Sequence, residues 1–249
     1  MSGHWLLVGQ WVALVGGLLV IPLVVARLPE PPPVVLPDEG SAEESELDRM
    51  LRAEGPSETY AEMAGHLRRG WWPIWPLIVL AGLAGPIEPH RIAWAAVCLV
   101  PVSALLVVVD WRRRLLPRIV VRPLTAVVVL LALLDWASRR DTDALVREAC
   151  GGALAWLIFG LLWFIRKAGM GLGDVRLALP LGVLTAAVSW NAWLIGLYAG
   201  FVGFALFSIG LLLVKRDRGI LKRAYPFGPF MIAGAYVGMA AAPHLHLIG

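Results

Sequence analysis

Two aspartates lie directly against apolar runs and are the residues best placed to do chemistry. Asp110 ends the apolar run Leu105–Val109, and Asp174 closes the glycine-rich segment GMGLGD. Two carboxylates held close together cannot both ionise easily, so they can share one proton. One of them can then accept a proton from an attacking water while the other polarises a scissile carbonyl. Such a pair would hydrolyse a peptide bond without a metal ion or a covalent nucleophile.

Each aspartate also has an ordinary structural explanation. Asp174 precedes a predicted helix, where aspartate is a favoured N-cap residue. Asp110 could be a charge that marks the end of a membrane span, since Arg112–Arg114 follow it. The spacing alone leaves both interpretations open, although ionisable groups at membrane depth commonly face a bundle interior or a water-filled cavity.

The segment before Asp174 favours the chemical interpretation. It contains three alternating glycines, which are Gly169, Gly171 and Gly173. Glycine allows positive φ angles and lets another backbone approach closely. A peptide substrate that lies extended beside Asp174 would need that room.

The elements that must position these residues are membrane-spanning helices. The 249 residues are 59% hydrophobic and 16% charged, with a mean hydropathy of +0.73. Soluble domains usually have about 45–50% apolar and about 25% charged residues. This composition excludes a soluble globular domain, a disordered chain and a disulfide scaffold. A crossing needs about 20 mostly apolar residues, and eight predicted spans meet or approach this length. They are Trp5–Ala26, Trp72–Pro86, Ile92–Val109, Ile119–Trp136, Ala144–Ile165, Leu177–Val188, Ala192–Val214 and Phe227–His244.

The predicted organisation is an all-α, polytopic integral membrane helix bundle in three parts. Residues 1–26 form the first transmembrane helix, residues 27–70 a cytoplasmic loop, and residues 71–249 a seven-helix membrane core. The loop holds ten of the eighteen acidic residues, and a helical stretch is predicted near Glu43–Leu67. With both termini outside, 18 of the 22 Lys and Arg residues fall in inside loops, as the positive-inside rule requires. This N-out, C-out topology puts both aspartates on the inside face.

Four segments, spread along the chain, resemble the type IV prepilin peptidases, which are GxGD membrane aspartic peptidases. The segment GMGLGDVRL, Gly169–Leu177, resembles their GxGD signature, and Asp110 in DWRRRLLP is similar to their first catalytic aspartate. Tyr225–Ala235, YPFGPFMIAGA, resembles the PFGPF element at the start of their last helix, and Gly16–Pro29 resembles the end of their first span. The resemblance covers nearly the whole chain except the loop.

The resemblance implies a function and a set of site residues. It implies that Asp110 and Asp174 act as a catalytic dyad and remove the leader peptide from type IV prepilin-like (pilin or pseudopilin) precursors. The reaction would occur at the cytoplasmic face of the inner (cytoplasmic) membrane, with no cofactor and no metal. Substrate binding is assigned to Gly169, Gly171, Gly173, Pro226, Phe227 and Gly228. The expected partners are the precursor and membrane lipid but no nucleic acid, and a homo-oligomer is left open.

The chain departs from the family pattern in its loop. Bacterial members often carry a paired CxxC zinc-binding module there and N-methylate the cleaved product, whereas residues 27–70 contain no cysteine. The missing module puts N-methylation, and any dependence on S-adenosylmethionine, in doubt. Arg176 and Arg118 stand where the family commonly has Lys and either Asn or Asp, and Arg118 adds positive charge beside the site.

Two other functions are kept as alternatives. A presenilin-like intramembrane aspartic protease shares the GxGD signature, and the PFGPF element does not separate it cleanly from a prepilin peptidase. A small proton-coupled transporter could also use paired intramembrane carboxylates and a glycine-broken helix. A transporter would predict an internal repeat and charges nearer mid-membrane, and the sequence shows neither. The combination of DWRRRLLP with GMGLGDVRL favours the prepilin peptidase.

Overall fold

The structure is a computed structural model that describes residues 3–30, 59–69, 74–88, 90–165, 171–215 and 225–245. Within these ranges the chain forms nine α-helices and no β-strand. The helices are α1 Gly3–Val25, α2 Tyr60–Arg69, α3 Ile74–Ala84, α4 His90–Arg113, α5 Arg118–Arg139, α6 Thr142–Ile165, α7 Leu172–Val188, α8 Trp190–Lys215 and α9 Gly228–Ala241. The predicted all-α class is confirmed.

Eight of these nine helices coincide with the predicted spans, and their bounds differ from the prediction by a few residues. Among the described residues, five helices are long and apolar enough to cross a membrane, namely α1, α4, α5, α6 and α8. Helices α3, α7 and α9 have 11, 17 and 14 residues. The N-out, C-out orientation stays a prediction.

Helix α2 lies in the predicted loop. It matches the end of the helical stretch predicted near Glu43–Leu67, and residues 43–58 lie outside the described part of the chain. Its buried side chains fall on one face, at positions 60, 63, 64 and 67, which is the spacing of an amphipathic helix that packs on a core. The partner of this face is α1.

The helices that carry the predicted site residues meet inside the bundle. Of the five long helices, α4 is the most enclosed. In its apolar part 72% of the residues are buried, whereas the share is at most 28% in the other four. It packs against α1, α3, α5 and α9, while α7 packs against α5, α6, α8 and α9. Helix α9 therefore contacts both α4 and α7.

Helix α9 is held from two sides. On one side, the hydroxyl of Tyr236 donates to the carbonyl oxygen of Ala96 in α4 at 2.8 Å and lies 3.4 Å from the hydroxyl of Ser103. On the other side, a Cβ atom on Gly234 would lie 2.5 Å from the backbone nitrogen of Gly200 in α8. Small residues allow such close approach between membrane helices. The start of α9, which carries the PFGPF element, is thereby fixed relative to α4.

Candidate active site

Asp110 lies in the last turn of α4. The helix ends at Arg113, and Arg114 takes a left-handed conformation with φ 54°. The backbone N–H of Arg114 still donates to the carbonyl oxygen of Asp110 at 2.8 Å, and the chain leaves the helix direction at Arg114 because of its positive φ. The Asp110 side chain is buried, with 4% of the residue exposed.

Asp174 lies in the first turn of α7. The helix is capped by Gly171, and the Asp174 carboxylate accepts the backbone N–H of Gly171 at 3.2 Å. Asp174 is therefore not the N-cap residue that the sequence offered as an explanation. It occupies the third helical position, where a carboxylate reaches back to the cap in a capping box. Asp174 is 7% exposed.

The start of α9 meets Asp110 directly. The backbone N–H of Gly228 donates to Oδ2 of Asp110 at 3.1 Å. A Cβ atom on Gly228 would lie 2.7 Å from the same oxygen, so glycine is required for this approach. Pro229 follows as the second residue of α9, in the first turn, where the backbone N–H has no partner within the helix and its loss costs little.

Leu116, in the turn between α4 and α5, joins the three elements. A Cβ atom on Gly173 would lie 2.8 Å from Cβ of Leu116, and one on Gly228 would lie 3.4 Å from its Cδ1. Leu116 is thus packed between the starts of α7 and α9, beside the end of α4. The two carboxylates are close enough for the negative charge of Asp174 to act on Asp110. The structure therefore brings Asp110 and Asp174 together although 64 positions separate them in sequence.

The arrangement has the features that acid–base chemistry needs. Two carboxyl groups are removed from water, each is oriented by a backbone N–H, and the negative charge of Asp174 acts on Asp110. In such a pair the proton is shared, so one group can act as base while the other acts as acid. Among the described residues, no group of three His, Cys, Asp or Glu side chains could hold a metal ion.

The other predicted substrate-binding residues have different surroundings. Gly171 caps α7 and Gly173 packs against Leu116, whereas Gly169 lies outside the described residues. Pro226 is buried, and the ring of Phe227 packs against three other aromatic rings. Those rings belong to Phe159, Phe201 and Phe204, with centroids 5.9, 5.3 and 5.2 Å away.

Sequence reasoning missed two features of this site. Leu116 was part of a recognised motif, but its role as the contact between two glycines depends on three helices meeting. Arg113 was interpreted only as one of the positive-inside arginines, whereas the structure buries it to 9% exposure. The sequence did contain one signal for this role. Arg113 follows Asp110 by three residues, and residues three apart in a helix are neighbours on its surface.

The part of the chain that carries the two aspartates is similar to a known peptidase family. Residues 97–213 match the family model described as the type IV leader peptidase family. This segment, just under half of the chain, is similar to that family. It contains both Asp110 and Asp174, so the sequence-based resemblance to the prepilin peptidases is confirmed. The match to this family and the five long apolar helices among the described residues indicate a multi-pass integral membrane protein.

Several curated relatives are similar to this chain over part of their length. A prepilin leader peptidase/N-methyltransferase of Aeromonas salmonicida is 29% identical over 146 residues, which are 58% of this chain and 48% of that protein. A protein with the same name from Burkholderia pseudomallei (strain K96243) is 30% identical over 191 residues, which are 72% of this chain and 59% of that protein. The leader peptidase HopD of Escherichia coli is 35% identical over 101 residues, which are 38% of this chain and 59% of that protein.

The chain thus spans about half to three fifths of the length of these leader peptidases. No solved structure is significantly similar to it. The names of the relatives agree with the predicted prepilin peptidase and not with the transporter alternative.

Proposed function

We propose that this chain is a membrane aspartic endopeptidase that removes the leader peptide from type IV prepilin-like precursors. The observation that carries the proposal is the buried pair Asp110 and Asp174, assembled from the end of α4 and the start of α7. The family match and the names of the relatives support the same activity. Asp110 and Asp174 are the proposed catalytic residues.

The reaction would divide two roles between the carboxyl groups. The ionised carboxylate accepts a proton from a water molecule, whose oxygen attacks the carbonyl carbon of the scissile peptide bond. The protonated carboxyl group donates a hydrogen bond to the carbonyl oxygen as negative charge develops there. When the C–N bond breaks, the leaving amine takes up a proton, and the pair returns to its singly protonated state. The N–H groups of Gly228 and Gly171 hold the two carboxyl groups in place for these steps.

The position of the pair suits a substrate with a polar leader and an apolar helix. Asp110 lies at the end of an apolar helix and is followed by Arg112–Arg114, and Asp174 lies at the start of another and is followed by Arg176. The junction between a polar leader and a membrane helix would lie at the same depth of the bilayer. We therefore place cleavage at the cytoplasmic face of the inner membrane, with lipid against the exposed apolar sides of α1, α5 and α8.

The test is cleavage of a precursor by the whole chain. The chain is reconstituted in lipid nanodiscs with a prepilin-like precursor, and the product mass is measured. We expect a mature product that begins at the boundary between the leader and the apolar helix. An intact precursor, or a cut inside the apolar helix as a presenilin-like protease would make, would refute the proposal. Asp143→Asn is the matched control for aspartate changes, because Asp143 is exposed near the start of α6.

A further inference from the structure

A second polar cluster lies one helical turn beyond Asp110. It is formed by Arg113, the last residue of α4, with Glu30 after α1 and Tyr60 at the start of α2. The side chain of Arg113 is only 4% exposed, and its Nη1 donates to Oε2 of Glu30 at 2.7 Å. Its guanidinium carbon lies 4.3 Å from the centroid of the Tyr60 ring, which is within the range of a cation–π contact.

Glu30 connects the arginine to the start of a helix. Its second carboxylate oxygen, Oε1, accepts the backbone N–H of Tyr60, the first residue of α2. The N–H groups at a helix N-terminus lack partners within the helix and favour a negative charge. One carboxylate therefore binds both the end of α4 and the beginning of α2, across 30 positions of sequence.

The cluster rests on a packed surface. Tyr60 itself is 3% exposed, and the buried face of α2 continues through Met63, Ala64 and Leu67. Burial raises the pKa of the Tyr60 phenol, in agreement with an enclosed ring. A buried guanidinium that loses its carboxylate partner is strongly unfavourable, so the three side chains are expected to stay together.

The end of α4 needs such support because it carries Asp110. The carbonyl oxygen of Asp110 accepts the N–H of Arg114, but the carbonyl groups at the very end of a helix have no partner within it, and helix ends fray. Arg114, in its left-handed conformation, already leaves the helix direction. Fraying of this turn would move the Asp110 carboxylate away from Gly228 and from Asp174.

We propose that Glu30, Arg113 and Tyr60 are positioning residues for the reaction, because they hold the last turn of α4 and so fix Asp110 opposite Asp174. This inference rests on the proposed peptidase function. The three residues do not touch the reacting atoms and act through the helix turn. A displacement of about 1 Å in a catalytic group can cost about a hundredfold in rate, so a frayed turn would lower kcat more than it changes KM.

The first experiment needs no substrate. Amide hydrogen exchange is measured on the whole chain in nanodiscs for wild type and for Glu30→Gln, which keeps the size of the side chain and removes its charge. We expect faster exchange in peptides covering residues 107–114 and unchanged exchange in α6. Glu88→Gln is the matched control, since Glu88 is exposed and follows α3.

The second experiment measures cleavage kinetics. Glu30→Gln, Tyr60→Ala and Arg113→Gln should each lower kcat by about tenfold or more, with KM changed by less than about twofold. Arg113→Lys keeps the charge and Tyr60→Phe keeps the ring, so both should recover most of the lost kcat. Arg122→Gln is the control for the arginine change, because Arg122 is exposed in the first turns of α5.

The outcomes separate this inference from the proposed function. Unchanged exchange in Glu30→Gln would overturn the inference, and so would faster exchange with a wild-type kcat. A rise in KM with kcat unchanged would also overturn it, because that result indicates a substrate contact. Failure of the wild-type chain to cleave any prepilin-like precursor would instead overturn the proposed function, and the exchange measurement would still show whether the cluster holds the turn.

Discussion

The backbone N–H of Gly228 donates to the carboxylate of Asp110 at 3.1 Å, although 118 positions separate the two residues. The contact depends on α9 lying against α4, and the hydroxyl of Tyr236 fixes that packing farther along the same two helices. Asp174 receives a similar N–H from Gly171, but within one turn of its own helix. One carboxyl group is therefore oriented by long-range packing and the other by local capping.

Replacing Gly228 with alanine should disable the site without unfolding the chain. The new Cβ would lie 2.7 Å from Oδ2 and 3.3 Å from Cγ of Asp110, so the carboxyl group must move. We expect kcat to fall by about a hundredfold, since small displacements of catalytic groups have effects of that size. Single-turnover cleavage of a prepilin-like precursor measures the change.

Gly210→Ala is the control for this substitution. Nothing lies within 4 Å of a Cβ atom at Gly210 in α8, and alanine is favoured over glycine inside a helix by about 1 kcal/mol. The Gly210 variant should cleave at the wild-type rate. Equal rates for both variants would show that the Gly228 contact does not orient Asp110 for catalysis.

Each aspartate should be individually essential. Asn keeps the size of Asp and can accept the N–H from Gly228 or from Gly171, but it cannot exchange the proton that the reaction needs. We expect Asp110→Asn and Asp174→Asn each to lower kcat at least about a hundredfold, the lower range for loss of an acid–base group. The mass of the co-expressed precursor reports cleavage, and Asp143→Asn should process it normally. Normal processing by either of the first two variants would contradict the assignment of the dyad.

Much of the bundle could be predicted from the sequence because the hydrocarbon core imposes a length on each apolar helix. The eight predicted spans therefore coincide with helices, including the short α7 that precedes Ser189. The two aspartates could be found for a related reason, since a carboxylate beside an apolar run is unusual. Local composition was enough for these predictions.

The contacts that build the site could not be predicted in the same way. The approach of Gly228 to Asp110 and the packing of Leu116 depend on how three helices cross, and no local pattern encodes that. Arg113 looks like its neighbours in a run of three arginines, and only the docking of α2 shows that its side chain is enclosed. Asp174 looked like an N-cap residue because the helix start was predicted at Leu177, five residues after its actual first residue.

The cleavage rate should reach a maximum at an intermediate pH and fall on both the acidic and the alkaline side. The mechanism needs one protonated and one ionised carboxyl group, so activity is lost at low pH, where both are protonated, and at high pH, where both are ionised. The measurement is kcat across the pH range with the chain in nanodiscs. The exposed-site variant Asp143→Asn should show the same curve. A rate that rises to a plateau at alkaline pH would mean that no protonated carboxyl group takes part.

Tyr236→Phe should destabilise the bundle slightly. The change removes the hydroxyl that donates to the carbonyl oxygen of Ala96 and leaves the ring in place. Such a hydrogen bond contributes about 1 kcal/mol, so thermal unfolding in detergent should begin at a lower temperature. Tyr198→Phe is the control, because Tyr198 is 64% exposed on α8. Identical unfolding of the two variants would show that this bond does not hold α9 to α4.

The cleaved product should carry an unmethylated N-terminus. The relatives from Aeromonas salmonicida and Burkholderia pseudomallei are named as N-methyltransferases as well as peptidases, but residues 27–70 of this chain contain no cysteine for the zinc-binding module that the resemblance associates with that loop. The intact mass of the mature product, made by co-expression in the same cells, measures the modification. The Aeromonas salmonicida relative, supplied with the same precursor, is the positive control. A product of this chain that is heavier by one methyl group would contradict the prediction and would mean that methylation does not require those cysteines.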